Sequence, residues 1–223
     1  MGKPAATDRP RLTPLSHSFT LDFVVLVSGT QEDAIAEKSA LAEHLRRTTG
    51  LELSPEKTKI TEVTDGFEFL GFHVIMRWDK RYGYFPRVEI PKAKVADLRY
   101  RIKQLTRRDT TWCGLGQKLR EINPILRGWA AYYRYCARAG RIYTALDWYV
   151  TSCVWRWLRK KRRKTRVGDI LRNFSRSSRR PLRRLWRDGS IEQFVLAWTP
   201  IRRFCLGWMG TPNFGLSSGE PDA

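Results

Sequence analysis

Carboxylates are scarce in this chain: 22 Asp and Glu stand against 42 Lys and Arg, a formal net charge of +20. A basic partner is excluded and an acidic one implied. Histidine is scarcer still, with only His17, His44 and His73. The four cysteines, Cys113, Cys136, Cys153 and Cys205, form no Cys-x-x-Cys pair and share no ligand spacing with the histidines. A zinc site is therefore not expected, and buried reduced thiols are. No stretch approaches the roughly 20 apolar residues that a membrane-spanning helix needs. The N-terminus lacks a secretory apolar core, so a cytoplasmic location is expected. No internal repeat is visible.

Apolar and aromatic residues are plentiful. Hydrophobic residues make up 42% of the chain, with 9 Trp, 8 Tyr and 10 Phe, enough for a packed core. A length of 223 residues allows one domain, or two modest ones sharing an interface. The charge is unevenly spread. Residues 1–60 hold 8 Lys and Arg and 8 Asp and Glu, whereas residues 61–223 hold 34 and 14. All the excess lies in the second part.

Two helical patterns meet within residues 117–164. The first carries Leu119, Ile122, Leu126, Trp129, Tyr132, Tyr133 and Cys136 at spacings of three and four. The second carries Ile142, Leu146, Tyr149, Val150, Cys153, Val154 and Trp157 with the same period. Gly140 between them suits a helix stop. Pro124 should kink or divide the first helix near Ile122. The second helix runs into Arg156 and the run Arg159–Lys164, seven cations in nine residues. Such density exceeds what solubility requires and points to a polyanion, nucleic acid first among them. An acidic membrane surface could also attract such charge, but no segment is apolar enough to span one and no membrane partner is expected. A general DNA-binding protein is a weaker reading because no helix-turn-helix or zinc-finger pattern appears.

The remaining segments give an α+β fold. Residues 1–18, with Pro4, Pro10 and Pro14, read as a loose arm. Phe19–Val27 is a short β-branched run ended by Ser28-Gly29 and reads as a buried strand. Residues 31–48 read as an amphipathic helix with Ile35, Lys38, Leu41, Ala42 and Leu45 on one side, stopped by Gly50. Leu51–Leu53 and Thr58–Ile60 read as strand pieces around Ser54-Pro55. Phe67–Ile75 reads as a strand with a glycine bend, and Tyr82–Ile90 as a further strand or hairpin with Gly83 near its turn. Residues 91–108 form a helix with Val95, Leu98, Ile102 and Leu105 inward and Pro91 in its first turn. Thr165–Asp169 breaks the pattern. Residues 170–187 are either a helix interrupted at Pro181 or an arm that orders on RNA. Ile191–Trp198 should dock on the helices, with Thr199-Pro200 ending it. The chain then divides into an arm at 1–18, a small strand–helix–strand unit at 19–90, a mainly helical domain at 91–175, a basic extension at 176–210 and a disordered tail at 211–223.

The run Ile122-Asn123-Pro124-Ile125-Leu126-Arg127-Gly128-Trp129-Ala130-Ala131-Tyr132-Tyr133 resembles the signature of the maturase-specific domain, or domain X, of group II intron reverse transcriptases. The likeness extends back through Pro91-Lys92-Ala93-Lys94 and forward through Trp148 and Trp155-Arg156-Trp157, covering about residues 88–175. Upstream, Phe23-Val24-Val25-Leu26 resembles the strand after the Tyr-Ala-Asp-Asp tetrad of the reverse-transcriptase palm. The tetrad positions are Phe19, Thr20, Leu21 and Asp22, so only the second aspartate is kept. Lys57 matches the lysine motif after the palm helix, and Gly66–Phe72 the primer-grip hairpin. Arg127-Gly128-Trp129 suits a close helix contact, with the glycine permitting approach.

The resemblance implies a thumb-like helical domain that grips intron RNA, behind a remnant of palm. Two-metal nucleotide addition needs carboxylates on Mg²⁺, and Leu21 offers no oxygen. The aspartate of an earlier palm strand would lie upstream of Ser18, and the fingers are absent. Asp22 and Lys57 are therefore vestigial candidates, and no catalytic residue is expected. No zinc-bearing endonuclease of the His-Asn-His type is expected either. The protein itself needs no cofactor: Mg²⁺ would sit on the RNA, or on the protein only if it polymerises. The expected RNA-binding residues are Lys92, Lys94, Arg99, Arg101, Arg127, Arg134, Arg138, Arg141, Arg156, Arg159, Lys160, Lys161, Arg162, Arg163 and Lys164, with Tyr132, Tyr133 or Trp155 stacking on bases. Trp129, Tyr149 and Trp157 are assigned to the core. The leading reading is a maturase-like protein that helps a group II intron RNA fold and splice. The alternatives are a reverse-transcriptase subunit, completed by a separate fingers–palm chain, and a truncated remnant of a mobile element without a role.

Overall fold

The computed structural model describes residues 23–202, apart from 55, 57, 81 and 82. The arm, Asp22, Lys57, Cys205 and the tail lie outside the described residues. The first helix, α1, spans Gln31–Thr49. Thr30 and Asp33 close a capping box at its start: the Asp33 amide donates to Thr30 Oγ1 at 3.3 Å and the Thr30 amide to Asp33 Oδ2 at 2.7 Å. Those bonds hold the Asp33 carboxyl below its usual range. Gly50 ends the helix in the left-handed conformation, φ +70°.

The strand expected over Phe19–Val27 is not formed in its described part. Residues 23–27 belong to no sheet and all five side chains are exposed, Leu26 to 75%. A run apolar on both faces needs a partner on each edge and cover on each face. Among the described residues no strand supplies either. Leu51–Leu53 and Thr58–Ile60 are likewise not strands. Three-residue pieces beside a proline are too short for a ladder, and they serve as loop packing. Leu53, Thr58 and Ile60 line a hollow against Ile35, Lys38 and Ala42 of α1, and Lys38 Nζ donates to the Thr58 carbonyl at 2.8 Å.

The first sheet is an antiparallel meander of β1 (Phe67–Phe69), β2 (Phe72–Asp79) and β3 (Gly83–Glu89). Phe69 pairs with Phe72, so Leu70-Gly71 is a two-residue turn. Both residues have positive φ, 47° and 74°, as a type I′ hairpin requires. Gly71 takes this freely, while Leu70 carries a Cβ into it.

The helical body follows. Helix α2 (Lys92–Leu105) buries Leu98 and Ile102. Helix α3 (Leu115–Tyr133) and helix α4 (Ala139–Lys161) form the central antiparallel pair. Pro124 does not divide α3, which is continuous across it, with Pro124 on the exposed side. Gly140 does not stop a helix, because it is the second residue of α4. The reversal lies at 134–138, where Arg138 itself takes the left-handed conformation, φ 59°. Gly140 instead makes room for Ile201, whose Cδ1 would lie 3.1 Å from an added Cβ.

Both apolar stripes face inward as their spacing predicts. Leu119, Ile122, Leu126, Val150, Val154 and Trp157 are fully buried, as is Tyr143, whose hydroxyl donates to the Ala130 carbonyl at 2.7 Å and ties α4 to α3. Residues 170–187 are neither a broken helix nor an arm. They complete helix α5 (Val167–Phe174) and then fold as β4 (Ser175–Ser177) and β5 (Arg184–Asp188). With β6 (Ile191–Glu192) these make a second antiparallel sheet, ordered β4-β5-β6. Leu182, Leu185, Trp186, Val195 and Leu196 are buried along this path. Residues 183–187 show no strand alternation: Leu185 and Trp186 are neighbours and both buried, between exposed Arg184 and Arg187. Helices and two small antiparallel sheets occupy separate stretches of chain, an α+β fold.

Candidate nucleic-acid interface

Residues 91–202 contain 29 Lys and Arg and 7 Asp and Glu. Most of the acids are bonded within the protein, while Asp97 and Asp109 are exposed. Asp147 is buried in α4, and its two oxygens accept from the Leu196 and Ala197 amides at 2.8 and 2.9 Å. Burial pushes its carboxyl up to about 6, against the pull of those two bonds. Asp188 of β5 accepts from the Gly116 amide at 2.8 Å, at the positive N-terminus of α3. Glu121 pairs with the buried Lys118 at 2.7 Å. Glu192 receives Arg176, which holds the Glu192 carboxyl below its usual range. Asp109 lies 3.6 Å from Arg107, and Asp169 the same distance from Arg172. Most cations are thereby left facing outward without a carboxylate beside them.

Their placement follows the helix periods. On α4 the exposed positions are Arg141, Ala145, Trp148, Ser152, Arg156, Arg159 and Lys160, one continuous outer stripe. On one flank Tyr149 donates to the Arg99 carbonyl of α2 at 3.2 Å, and the Arg99 guanidinium sits over the Tyr149 ring at 5.4 Å. On the other, Trp155 stacks on Trp186 of β5 with centroids 5.5 Å apart and planes 7° apart. The Trp186 indole donates to the Thr151 carbonyl at 3.0 Å. Arg159 covers Trp155 at 5.7 Å, and Arg162 covers Phe174 of α5 at 5.4 Å. Arg99, Arg156, Arg159, Lys160, Arg162 and Trp155 are therefore gathered around one helix. Arg163 and Lys164 continue beyond its end, both exposed. Lys161 is half-buried and donates to the Thr111 carbonyl at 2.7 Å.

The other expected residues lie elsewhere on the body. Lys92, Lys94 and Arg101 are exposed on α2. Arg127 is exposed on α3 and covers Phe194 at 5.6 Å, at the mouth of a cavity of about 460 Å³ that Trp198 and Thr199 also line. Arg134, Arg138 and Arg141 surround the α3–α4 reversal, with Arg134 over the Tyr135 ring. Gly128 makes no close helix contact: it is exposed, with open space where a Cβ would stand. Among the described residues no group of three or more His, Cys, Asp and Glu could hold a metal ion.

The two tyrosines of the signature bind protein. Tyr133 is buried, and its hydroxyl donates to the Gly71 carbonyl at 3.2 Å. Tyr132 donates to the Leu70 carbonyl. Phe72 stacks on Tyr132 at 4.7 Å and meets Tyr133 edge-on at 5.6 Å. The pair thus grips the β1–β2 turn, and the Ala137 amide adds a bond to the Val88 carbonyl at 2.8 Å. Asn123 also has a structural duty. Its amide nitrogen donates to the Glu192 carbonyl at 2.7 Å and its oxygen accepts from the Phe194 amide at 2.8 Å, so one side chain replaces a strand's pairing partner. Residue type alone gave no sign of Asn123, Asp147 or Asp188, whose partners lie about fifty residues or more away in sequence.

Fold and charge together define a basic helical domain with few carboxylates, most of them bonded within the protein. Residues 95–186 match the family model of the group II intron maturase-specific domain. The matched stretch, similar to a group II intron maturase-specific domain, runs from α2 into β5, past the Phe174 end of α5. The chain is also 40% identical over 74 residues to Protein YkfC of Escherichia coli (strain K12), which is 33% of this chain and 19% of that protein. It spans about a fifth of the length of that relative. Among the described residues no helix is long and apolar enough to cross a membrane.

Proposed function

We propose that the chain binds group II intron RNA through its helical body and assists the RNA's folding and splicing, with no polymerisation step of its own. The observation that carries this reading is the outward set of cations around α4, which outnumbers the few carboxylates of the body, most of them bonded within it. Folded RNA offers phosphates, 2′-hydroxyls and unstacked bases to such a face. Arg meets phosphate with two parallel hydrogen bonds, and Lys meets it as a point charge. Mg²⁺ then belongs to the RNA, which performs the splicing chemistry, while the protein lowers phosphate repulsion and fixes shape.

Replacing Arg159 to Lys164 with Gln tests the reading. Neutralising six cations should weaken binding to an intron RNA and reduce the salt slope of log affinity by up to about 4, at about 0.7 per phosphate contact on single strands. An unchanged slope refutes this face as the binding surface. A second reading, a reverse-transcriptase subunit completed by a separate fingers–palm chain, is favoured by one observation: the apolar run Phe23–Val27 is uncovered and unpaired. Under it, Mg²⁺-dependent primer extension would emerge on mixing the two chains.

A further inference from the structure

Among the described residues, the most exposed aromatic ring of the helical body is that of Trp112. Trp112, in the loop between α2 and α3, is 75% exposed, although an indole has more apolar surface to bury than any other side chain. The loop around it is well anchored. Thr110 Oγ1 donates to the Arg107 carbonyl at 2.7 Å and receives the Trp157 indole N–H at 3.0 Å. Thr111 Oγ1 donates to the Arg108 carbonyl at 2.8 Å. Cys113 is buried directly after Trp112. From the end of α4, Lys161 Nζ donates to the Thr111 carbonyl at 2.7 Å and reaches the Trp112 carbonyl at 3.5 Å. Every anchor fixes backbone or a neighbour, and none draws the indole inward. The ring is held out.

The loop is cationic on balance. Arg107 and Arg108 precede Trp112, with Asp109 3.6 Å from Arg107, and Lys161, whose sequence neighbours Lys160 and Lys164 are exposed, grips the Trp112 carbonyl. We propose that Trp112 is a stacking platform for an unpaired nucleobase, whose flanking phosphates lie on these lysines and arginines. The assignment rests on the RNA-binding reading above and adds a contact to it. An indole face accepts any base, so the site selects single-stranded loops over sequence. A duplex, whose bases are already stacked, has none to offer. Stacking is little affected by salt, whereas phosphate contacts are strongly so. The two parts of the site are therefore separable by experiment.

The test uses the full chain and two RNA probes of equal length, a hairpin with a single-stranded loop and a blunt duplex, titrated across a salt series. Trp112→Ala should lose about 5- to 150-fold in affinity for the hairpin, the range set by one stacked base. Its salt slope should not change, and its duplex affinity should stay at the wild-type level. Trp112→Phe should recover most of the loss. An alanine variant that binds the hairpin as the wild type does overturns the assignment and gives the ring to an acidic protein surface instead. An equal loss on both probes, or a loss that phenylalanine does not recover, also overturns it by showing a structural effect. A wild-type chain that holds neither RNA overturns the parent reading, and this one with it. That result is visible before any variant is made.

Discussion

In α4, Tyr143, Leu146, Val150, Val154, Trp157 and Leu158 are all withdrawn from solvent. Helix α1 is nearly as long, yet hides no residue fully. The contrast extends to the segments around them. The region from Phe23 to Ile90 exposes Leu26, Ile35, Leu51, Ile60, Trp78 and Tyr84, whereas Ile102, Leu119, Ile122 and Leu126 of the helical body are sealed. Both regions have helices, a three-stranded sheet and ample apolar residues. They differ in whether each apolar stripe meets a second one. In the body α3 and α4 oppose stripe to stripe. Among the described residues, the stripe of α1 lies against the loop residues Leu53, Thr58 and Ile60. Apolar content therefore does not by itself make a core: pairing of faces does.

The largest effects should separate the regions by stability. Trp157→Ala, at a fully buried site, should cost about 3–5 kcal/mol. Ile35→Ala on α1 should stay within about 0.5 kcal/mol, the range of surface changes. Urea denaturation followed by circular dichroism measures both, and equal costs would break the comparison. The next effect belongs to the body alone. The Asp147 carboxyl is raised to about 6 by burial, so the folded state holds its proton more tightly than the unfolded one does. Its contribution to stability is then greatest below about pH 4 and falls as pH rises toward 6, by an amount on the order of 2 kcal/mol. Asp147→Asn should flatten the pH dependence of unfolding across that window, and parallel wild-type and variant curves would remove Asp147 from the account. The smallest effect tests the join between the regions. Tyr132→Phe and Tyr133→Phe should each cost about 1 kcal/mol, one hydrogen bond apiece. Hydrogen exchange should quicken at the Leu70-Gly71 turn and stay unchanged in the middle of α4. Quickening in both would mean that the tyrosines support the core rather than the join.

The sequence made the helices legible because their apolar periods run for several turns and their inward faces are decided by spacing alone. It misled wherever a single residue was taken as punctuation. Pro124 sits inside a helix whose stability comes from the buried stripe, and Gly140 serves Ile201 rather than a stop. Short apolar pieces such as Leu51–Leu53 carry no information on whether a partner strand exists. The Arg-rich stretch after α5 hid a strand because Leu185 and Trp186 sit side by side without a strand's alternation and its cations dominate the composition. At the candidate interface the cations of α4 and α2 were visible in the sequence as runs, and the maturase-type signature agrees with the family model that matches residues 95–186. The uses of Asn123, Asp147, Asp188 and the tyrosine pair were not visible, because each depends on backbone groups brought close by folding.

The tyrosine grip has a mechanical consequence. Three hydrogen bonds, from Tyr132, Tyr133 and Ala137, fasten the first meander to the α3–α4 reversal at Leu70, Gly71 and Val88. A torque applied to the helices as they settle on a large ligand would carry the meander along as one lever arm. The Val63 carbonyl accepts from the Met76 amide of β2 at 2.9 Å, so articulation between α1 and the rest falls in the short strip from Ile60 to Glu62, where a cross-link would stall the motion and a nick would free it.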